Sequence, residues 1–448
     1  MTPDEALAYL QAFPDFERGT AGEEILTLDR MRRLLELLDD PDQAYGVVHV
    51  VGTKGKGSTA AMIASGLRAG GYRTGLFTSP HLVDYRERVQ VDGALISPAA
   101  FAAIIDGCLR PAVQRLQAAG ERAPLHFELL CGLAFEHFRR SGVRIAVVEA
   151  GLGGRLDATN AVSDVAETVI TTIGHDHMAV LGDTLDKIAG EKAAVIRTGG
   201  RVVSAPQRPE ARAVVERVCR ERGATLSSIG RDWRVENVVE RAEDTLFDLQ
   251  GSHGLHARYD KLDIPLAGAH QAINAAVAVA ALTGLGQDYP RLDEGAIRQG
   301  LAATRWPGRL QLVAGNPLVI LDAAHNRESA AALAAALGRL YPRQPFALVV
   351  AVFRDKDAAD ILAPLLPLAS HVVVASAGHP RALPAADLAA AVNALDSRTV
   401  VEEAPSVAAA LERARALAGP AGRVLVTGSL RTVGEAMVHL RIDVPRQS

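Results

Sequence analysis

The fold of this chain is decided by residues 47–59, which read VVHVVGTKGKGST. A short β-branched run followed by glycines predicts a buried strand over 47–51, a glycine-rich loop and a helix over 56–69. Glycines in such a loop let backbone N–H groups approach phosphate oxygens, and the helix N-terminus adds a favourable dipole. Lys56 would neutralise the phosphates. Because Gly57 separates Lys56 from Ser58, the usual spacing G-x-x-x-x-G-K-[ST] is not met, and a glycine-rich turn without a ligand stays the alternative.

The neighbouring sequence continues with short Val/Ile-rich runs that alternate with longer amphipathic stretches. The predicted strands cover 74–77, 145–149, 168–173 and 201–204. The predicted helices cover 98–119, 126–140, 184–197 and 209–222. This alternation predicts a parallel sheet that is covered by helices on both faces.

A second α/β series follows a break in this pattern. Residues 232–266 are polar and predict a meander of short strands, and the Ala/Val-rich residues 271–282 predict a buried helix. The Pro307-Gly308 pair predicts a turn or linker. Strands are then predicted over 318–321, 346–352, 371–375 and 423–426. Although 448 residues suggest about three domains, this order indicates two α/β domains, over 1–302 and 303–448.

Composition excludes several classes of protein. The chain has 48 Lys and Arg against 52 Asp and Glu, a net charge of −4, which is not the basic footprint of a nucleic-acid or anionic-membrane binder. Its three cysteines, Cys108, Cys131 and Cys219, do not form a disulfide framework or a metal-binding spacing. Apolar runs stay far below the ~20 residues that span a bilayer, and the N-terminus lacks a signal-peptide pattern. We therefore expect a cytoplasmic protein in a reducing compartment.

Three polar side chains follow strands of the first predicted sheet. Glu149 ends the strand 145–149, Ser79 follows the strand 74–77, and His177 follows the strand 168–173. Because the carboxyl ends of parallel strands meet at one rim, these side chains can come together. An oxygen-rich set beside a triphosphate suits Mg²⁺, and a histidine ligand would tolerate Mn²⁺. Each residue alone could instead be a cap or a satisfied polar group.

A lysine lies on the apolar stripe of the predicted helix 184–197. Lys192 follows Ile188 by four residues and Ala189 by three, so it faces the core with them. A lysine in the core is costly unless it is paired or modified. Lys192 therefore reaches a buried anion or carries an amine of lowered pKa that is chemically changed. The alternative is a side chain that extends to solvent.

Ordered motifs along nearly the whole chain resemble the folylpolyglutamate synthase/dihydrofolate synthase family, within the Mur ligase superfamily. They are GTKGKGS (52–58), TSPHL (78–82), VVEAGLGGRLDATN (147–160), DHMAVLGDTLDKIAGEK (176–192), HQxxN (270–274), PGR (307–309), LDxxHN (321–326) and TGSL (427–430). The stretch GLGGRLDATN points to the folate branch. The resemblance implies a P-loop-type, mostly parallel sheet domain that binds ATP and pteroate over 1–302. A smaller Rossmann-like α/β domain that binds glutamate and part of ATP is implied over 303–448.

The resemblance also implies roles for individual residues. ATP would be held by Gly55, Lys56, Gly57, Ser58, Asn274, Arg309 and Asp322. The pteroate substrate would lie against Thr27, Leu28, Asp29, Leu125, His126, Phe127, Glu128, Leu156, Asp157 and Ala158. Magnesium, as two ions, would be held at Ser79, Glu149 and His177. Lys192 would be the family's carboxylated lysine, N6-carboxylysine, in which a cation becomes a metal-binding anion.

The implied activity is ATP-dependent ligation of L-glutamate to dihydropteroate and to the γ-carboxylate of reduced folates. The γ-phosphoryl group of ATP would pass to the substrate carboxylate, and the glutamate amine would attack the resulting acyl phosphate. Lys56, Lys192 and His325 are expected to act in this chemistry, His325 as a glutamate contact that could instead satisfy a turn. Because water would hydrolyse an acyl phosphate, we expect two domains to close over the site, with a hinge near Trp306.

Other functions stay open on the sequence alone. The enzyme could extend folates only, or it could be a cell-wall Mur-type ligase that acts on a nucleotide-linked peptide. A non-catalytic nucleotide-binding protein would be expected to lose at least one of Lys56, Glu149, His177 and Lys192. The expected partners are small molecules, with no nucleic acid and no membrane, and the chain is expected to be a monomer.

Four positions depart from the family pattern. Lys54 stands where Asn is usual, which adds positive charge beside the phosphates. Ala323 replaces a usual glycine, and Arg327 follows His325-Asn326 where proline is usual. Arg354 follows Phe353 where glycine is usual. These departures predict altered loop geometry rather than loss of activity.

Overall fold

The computed structural model describes residues 1–15, 26–176, 178–252, 257–342 and 344–442. The strands among these residues form three sheets, of eight, three and six strands. The mixed α/β architecture with a large, mostly parallel first sheet and a second, smaller α/β sheet confirms the predicted fold class.

The first sheet has the strand order β4-β3-β2-β5-β1-β6-β7-β8. Its strands are β1 (Gly46–Val51), β2 (Thr74–Phe77), β3 (Val89–Val91), β4 (Ala94–Leu95), β5 (Ile145–Glu149), β6 (Val165–Ile170), β7 (Arg201–Ser204) and β8 (Thr225–Ser228). All neighbours are parallel except β2 with β3 and β3 with β4. Every residue of β1 is buried, which is why the strand reads as a continuous apolar run.

Helices cover both faces of this sheet. They are α1 (Pro3–Gln11), α2 (Leu28–Leu37), α3 (Lys56–Ala69), α4 (Pro98–Ile104), α5 (Arg110–Ala118), α6 (His126–Arg140), α7 (Met178–Leu181), α8 (Leu185–Ala193), α9 (Pro209–Glu221), α10 (Ala269–Leu285) and α11 (Glu294–Ala302). A π-helical turn, Ile105–Leu109, joins α4 to α5. Helix α3 packs against both α10 and α11, and all its residues from Ser58 to Leu67 are buried.

The predicted meander is an antiparallel three-stranded sheet. Its strands are β9 (Trp233–Glu240), β10 (Thr245–Gly251) and β11 (Arg258–Ile264), with β10 in the middle. Phe247, Leu249 and Leu262 join the same hydrophobic core as α10 and α3. The meander is therefore part of the first half of the molecule.

The last third of the chain forms the six-stranded sheet, in the order β12-β13-β17-β14-β15-β16. Its strands are β12 (Gln311–Val313), β13 (Leu318–Leu321), β14 (Phe346–Val350), β15 (Ala369–Ala375), β16 (Val401–Ala404) and β17 (Arg423–Thr427). Its helices are α12 (Arg327–Leu340), α13 (Ala358–Leu362), α14 (Ala385–Leu395), α15 (Val407–Ala418) and α16 (Leu430–His439). Only β12 runs antiparallel to its neighbour in this sheet.

Several predicted element boundaries are wrong: β14 ends at Val350 rather than at residue 352, β6 begins at Val165 rather than at residue 168, and a π-helical turn divides the predicted helix 98–119. Two further differences have a local reason. Strand β6 ends at Ile170 rather than at residue 173, because the backbone carbonyl of Thr172 leaves the sheet to accept from the N–H groups of Thr53 and Lys54. Helix α8 ends at Ala193 rather than at residue 197, because the Ile196 N–H bonds the carbonyl three residues back in a tightened turn.

No helix among the residues that the structure describes combines the length and apolarity needed to cross a bilayer.

Candidate active site

The glycine-rich loop lies between β1 and α3, as its sequence predicts. Gly55 precedes α3 with a φ of +86°, a left-handed conformation that favours glycine. A Cβ at Gly55 would lie 2.3 Å from Asn274 Oδ1, and a Cβ at Gly57 would lie 2.5 Å from the ring of Trp306. The predicted ATP contact Asn274, from α10, and the linker residue Trp306 therefore both lie directly against this loop.

Lys56, the first residue of α3, faces the end of strand β5. Its Nζ lies 3.9 Å from Glu149 Oε1, and the backbone N–H of Ser79 donates to Glu149 Oε2 at 3.3 Å. Burial raises the pKa of Glu149 to about 7, against the opposing effect of the Lys56 charge. The structure thus brings Ser79 and Glu149 together as predicted, next to the phosphate loop, whereas His177 lies outside the described residues.

The donor set at this rim is built of oxygens. In the part of the chain that the structure describes, no three His, Cys, Asp or Glu side chains gather as ligands of one ion. A buried carboxylate and a neighbouring hydroxyl, at Glu149 and Ser79, nevertheless fit Mg²⁺, which takes few protein ligands and completes its coordination with phosphate oxygens and water.

Lys192 of α8 is buried under the phosphate loop, with an exposed fraction of 4%. Its Nζ donates to the carbonyl of Gly52 at 2.9 Å, so the side chain does not extend to solvent. Burial, together with the Lys56 charge, lowers the pKa of Lys192 to about 7. Of the predicted alternatives, the geometry therefore favours an amine of lowered pKa rather than a solvent-seeking cation.

The six-stranded domain presents Arg309, Asp322 and His325 at the same side. The Asp322 carboxylate accepts from the N–H groups of Leu310 and Ala324, both at 2.9 Å, which fixes its orientation. Burial raises the pKa of Asp322, and the Arg309 guanidinium opposes this rise. Because Arg309 also opposes the rise in the Glu149 pKa, its charge acts across the boundary between the two sheets.

His325 contacts its own turn. Its Nδ1 lies 2.9 Å from the carbonyl of Ala323, the kind of contact that the alternative interpretation expected. Burial, with the Lys54 charge, lowers the pKa of His325 to about 4, so the ring is neutral at pH 7. A neutral ring leaves Nε2 as the atom that could contact a substrate.

The three predicted pteroate segments lie on one side of the first domain. Thr27 caps α2, whose first turn holds Leu28 and the largely exposed Asp29. Helix α2 packs against α6 and against the turn Ala158–Ala161. The structure thus places residues 27–29, 125–128 and 156–158 near one another.

Two of these predicted contacts have structural partners. The buried carboxylate of Glu128 accepts from Arg30 Nε at 3.2 Å and from the Leu125 N–H at 2.7 Å. The imidazole of His126 contacts the hydroxyl of Tyr85 and the carbonyl of Leu10. Both residues are buried, with exposed fractions of 1% for His126 and 4% for Glu128, so these internal contacts fix their side chains.

The glycine-rich segment after β5, which holds the predicted contacts 156–158, is ordered by its own hydrogen bonds. The Asp157 carboxylate accepts from the N–H groups of Leu152 at 2.7 Å and Thr159 at 3.0 Å, which holds Leu156 and Ala158 in place. The ring of Phe127 lies against Gly151, where a Cβ would approach it to 2.6 Å. Phe127 is the aromatic surface of this region.

Sequence reasoning missed a set of contacts between the two domains. Lys54 pairs with Asp176 at 3.0 Å, and Asp176 also lies 3.9 Å from Lys356 Nζ of the second domain. Asn326 Nδ2 donates to the same carboxylate at 3.5 Å. The unusual Lys54 was the one signal in the sequence, because nothing in the spacing of the chain places residue 356 near residue 176.

Comparison with known proteins identifies relatives that cover most of the chain. The chain matches the family model described as "Mur ligase middle domain" over residues 113–282 and the one described as "Mur ligase, glutamate ligase domain" over residues 308–430. It is 34% identical to a dihydrofolate synthase/folylpolyglutamate synthase of Bacillus subtilis, over 92% of this chain and 95% of that protein. It is also 34% identical to the protein of that name from Escherichia coli, over 92% of this chain and 90% of the other.

Solved structures agree over nearly the full chain. A folylpolyglutamate synthase of Mycobacterium tuberculosis, complexed with ADP and AMPPCP, superposes with a TM-score of 0.87 at 34% identity and covers 99% of this chain and 98% of its own. The E. coli FolC in complex with DHPP and ADP superposes with a TM-score of 0.85 at 31% identity, over 98% of each chain.

Proposed function

Because the chain belongs to the dihydrofolate synthase/folylpolyglutamate synthase family of Mur ligases, we propose that it joins L-glutamate to dihydropteroate and to the γ-carboxylate of folates with ATP. The observation that carries this proposal is the rim at which Lys56 lies 3.9 Å from the buried Glu149, directly beside the glycine-rich loop. Folate extension alone, or another Mur-type amino-acid ligation, is the alternative.

ATP would be bound from both domains. The backbone of Gly55, Gly57 and Ser58 would cradle the phosphates while Lys56 neutralises their charge. Asn274 lies against the loop and is oriented by Gln271, to whose Oε1 it donates at 2.9 Å. Arg309 and Asp322 would reach the nucleotide from the second domain.

Magnesium would be held by the oxygens of Glu149 and Ser79, with His177 as the third proposed ligand. Two ions are proposed, and Mn²⁺ would be tolerated through the histidine. The ions would supply charge neutralisation for the phosphates. The protein's own part is to hold the Glu149 carboxylate by the Ser79 N–H at the mouth of the phosphate loop.

Lys192 is proposed to carry a carboxyl group. Its lowered pKa leaves a fraction of the amine unprotonated near neutral pH, and such an amine attacks CO₂, forming an N–C bond with release of one proton. The nearby charge of Lys56 would stabilise the resulting anion. This change would convert a buried cation, which is costly, into a paired anion.

Ligation needs an activated carboxylate, because hydroxide is a poor leaving group. Transfer of the γ-phosphoryl group makes an acyl phosphate, and the amine of L-glutamate then displaces phosphate. Lys56 would position the phosphoryl group, and Arg309 would add charge from the facing domain. His325 is the proposed contact for glutamate. Closure of the domains would exclude the water that hydrolyses the intermediate.

Mass spectrometry of the products tests the proposal. Purified protein would be incubated with ATP, Mg²⁺ and L-glutamate, and with either dihydropteroate or tetrahydrofolate. A mass increase of one glutamyl unit in both reactions is expected. Extension of tetrahydrofolate alone would favour the narrower alternative, and phosphate release only with a nucleotide-linked peptide precursor would overturn the folate assignment.

A further inference from the structure

Lys54, which departs from the family pattern, connects two loops of the first domain. Its Nζ donates to Asp176 Oδ2 at 3.0 Å, and its backbone N–H donates to the carbonyl of Thr172 at 3.1 Å. Thr172 and Asp176 both belong to the segment after β6. The phosphate loop and this segment are therefore held together by main chain and side chain at one residue.

The Asp176 carboxylate is also shared with the second domain. Lys356, which follows β14, places its Nζ 3.9 Å from Asp176 Oδ1. Asn326, the N-cap of α12, donates to Asp176 Oδ2 at 3.5 Å. One carboxylate thus takes donors from three segments and joins the two domains beside the phosphate loop.

A second carboxylate from the facing domain balances the charge. Glu328 in the first turn of α12 lies so close to Gly174 that a Cβ there would be 2.6 Å from its Oε2. Its charge is among those acting on Lys54. We call this group the interdomain cluster; it comprises Lys54, Asp176, Asn326, Glu328 and Lys356.

Three charged side chains of the interdomain cluster are largely shielded from solvent. The side chains of Lys54 and Asp176 are exposed by 24% and 15%, and that of Lys356 by 21%. Partly buried charges are screened by salt less than charges on an open surface. Asp176 and Glu328 therefore attract Lys356 and Lys54 across the domain boundary, while Asp355 lies 3.6 Å from Lys356 within the second domain.

We propose that Lys54 and Asp176 are positioning residues that form the N-terminal half of an interdomain clamp, which sets the second domain over the phosphate loop for glutamate attack. This inference rests on the proposed ligation. The clamp acts through the placement of the second domain, since its residues lie beside the loop and join the segments that carry the proposed glutamate site.

The direction of each substitution's effect on the interdomain contact follows from the charge that it removes. Asp176→Asn would leave the cations of Lys54 and Lys356 facing each other across the domain boundary without the shared anion. Lys54→Asn would remove one of these cations and retain an amide donor. The double variant would therefore restore the charge balance that the first substitution breaks, which a merely structural loss would not do.

The experiment compares Asp176→Asn, Lys54→Asn and the double variant with the wild-type protein. It measures KM for glutamate, kcat, ADP affinity and the radius of gyration by X-ray scattering with ADP bound. Asp176→Asn is expected to raise the KM for glutamate about tenfold and the radius of gyration measurably, with ADP affinity changed by less than about threefold. The double variant is expected to return the KM for glutamate to within about threefold of the wild-type value.

Asp183→Asn is the matched control, because it removes an exposed ion pair with Lys187 in the same region but outside the interdomain cluster. It is expected to change nothing. Asn326→Ala provides a second variant that leaves the phosphate loop untouched, with a rise in the KM for glutamate of about threefold expected.

Two results would overturn the clamp: a double variant no better than Asp176→Asn, or an Asp176→Asn protein whose radius of gyration matches that of the wild type. If the wild-type protein itself forms no glutamyl product, the proposed ligation fails. The scattering and ADP comparisons would then still decide whether the two domains are held by this cluster.

Discussion

At the scale of single residues, the site is built from charges that the protein has moved out of water. Lys192 and Glu149 are each 4% exposed, and burial shifts the pKa of the lysine down and that of the glutamate up, both to about 7. Neither group would be placed here for stability alone, because burying an ionisable side chain is costly. Their positions around Lys56 favour a catalytic purpose.

Lys192→Ala should lower ligation strongly, by roughly 10- to 100-fold, because it removes the proposed carboxylate beside the phosphates. Added acetate or propionate should restore part of the rate by supplying an anion in the vacated space. Steady-state turnover with and without these acids measures the effect. Lys187→Ala on the same helix removes an exposed lysine and should leave turnover unchanged. Near wild-type turnover of Lys192→Ala would refute the proposed role.

Gly55→Ala should weaken ADP binding by at least about tenfold. Its backbone has a φ of +86°, where an L-residue costs roughly 1–2 kcal/mol, and the new Cβ would meet Asn274 Oδ1. Calorimetric titration with ADP checks this. The matched control is Gly190→Ala inside α8, where no atom lies within 4 Å of the added Cβ. That change should raise the free energy of unfolding by about 0.5–1 kcal/mol. Equal ADP affinity for Gly55→Ala would contradict the assignment of the loop.

At the scale of elements, the sequence predicted those that carry strong local signals. The bounds of α3 and α6 are as expected, because a glycine loop opens the first and the Glu128 carboxylate closes the first turn of the second. Five short strands were missed, namely β3, β4, β8, β12 and β16. They have only two to four residues each, which is too short to show an apolar run.

Residues of the site could be predicted where the topology of one sheet brings them together. Ser79 and Glu149 follow strands of one sheet, so their meeting follows from topology. The contact of Asp176 with Lys356 joins two domains, and no local pattern encodes it. The Asp176–Lys356 contact is visible only in the folded structure.

Strand β6 holds a buried glutamate whose titration should be visible in stability. Burial raises the pKa of Glu167 to about 7, although Arg201 Nε lies 3.1 Å away. Between its ordinary value and pH 7 the folded chain holds a proton that the unfolded chain has lost. The free energy of unfolding therefore falls as pH rises through that window, and this contribution falls no further above pH 7.

Glu167→Gln should flatten this dependence between pH 5 and about pH 7, because the amide does not ionise while Arg201 keeps its contact with Asp288 at 2.6 Å. Urea unfolding at several pH values measures the slope. Glu221→Gln removes an exposed pair with Arg217 and should leave the slope as in the wild type. An unchanged slope in Glu167→Gln would show that this carboxyl does not titrate in the window.

At the scale of the whole molecule, the chain carries a net charge of −4, although the ligands proposed to bind between its two domains are all anions. ATP, folate and glutamate are all anionic, so long-range attraction by the protein as a whole is not available. The proposed attraction is therefore local, from Lys56, Arg309 and the N-terminus of α3. The linker is part of this arrangement, since Trp306 packs on Gly57 and on the core of the first domain.

Trp306→Ala should lower kcat/KM for ligation about tenfold, because the linker loses its support on the phosphate loop and the second domain is positioned less well. Trp306→Phe keeps a ring at this place and should stay within about threefold of the wild type. Initial rates at several ATP and glutamate concentrations measure both. Equal losses in the two variants would argue against packing of the ring as the cause.

Strand β1 lies between β5 and β6, so its position in the sheet affects folding during synthesis. Val50 pairs with Glu149 of β5 on one side and with Val169 of β6 on the other, so its neighbours are translated long after it. At ~5–20 residues per second, the ribosome needs roughly 5–20 s to deliver β5 after β1 has emerged. During that interval the apolar β1 lacks both of its neighbouring strands, and an unpaired apolar strand is prone to aggregation. The sheet around β1 can therefore form only after β6 has been translated, and the loop that follows β1 is fixed in place with it.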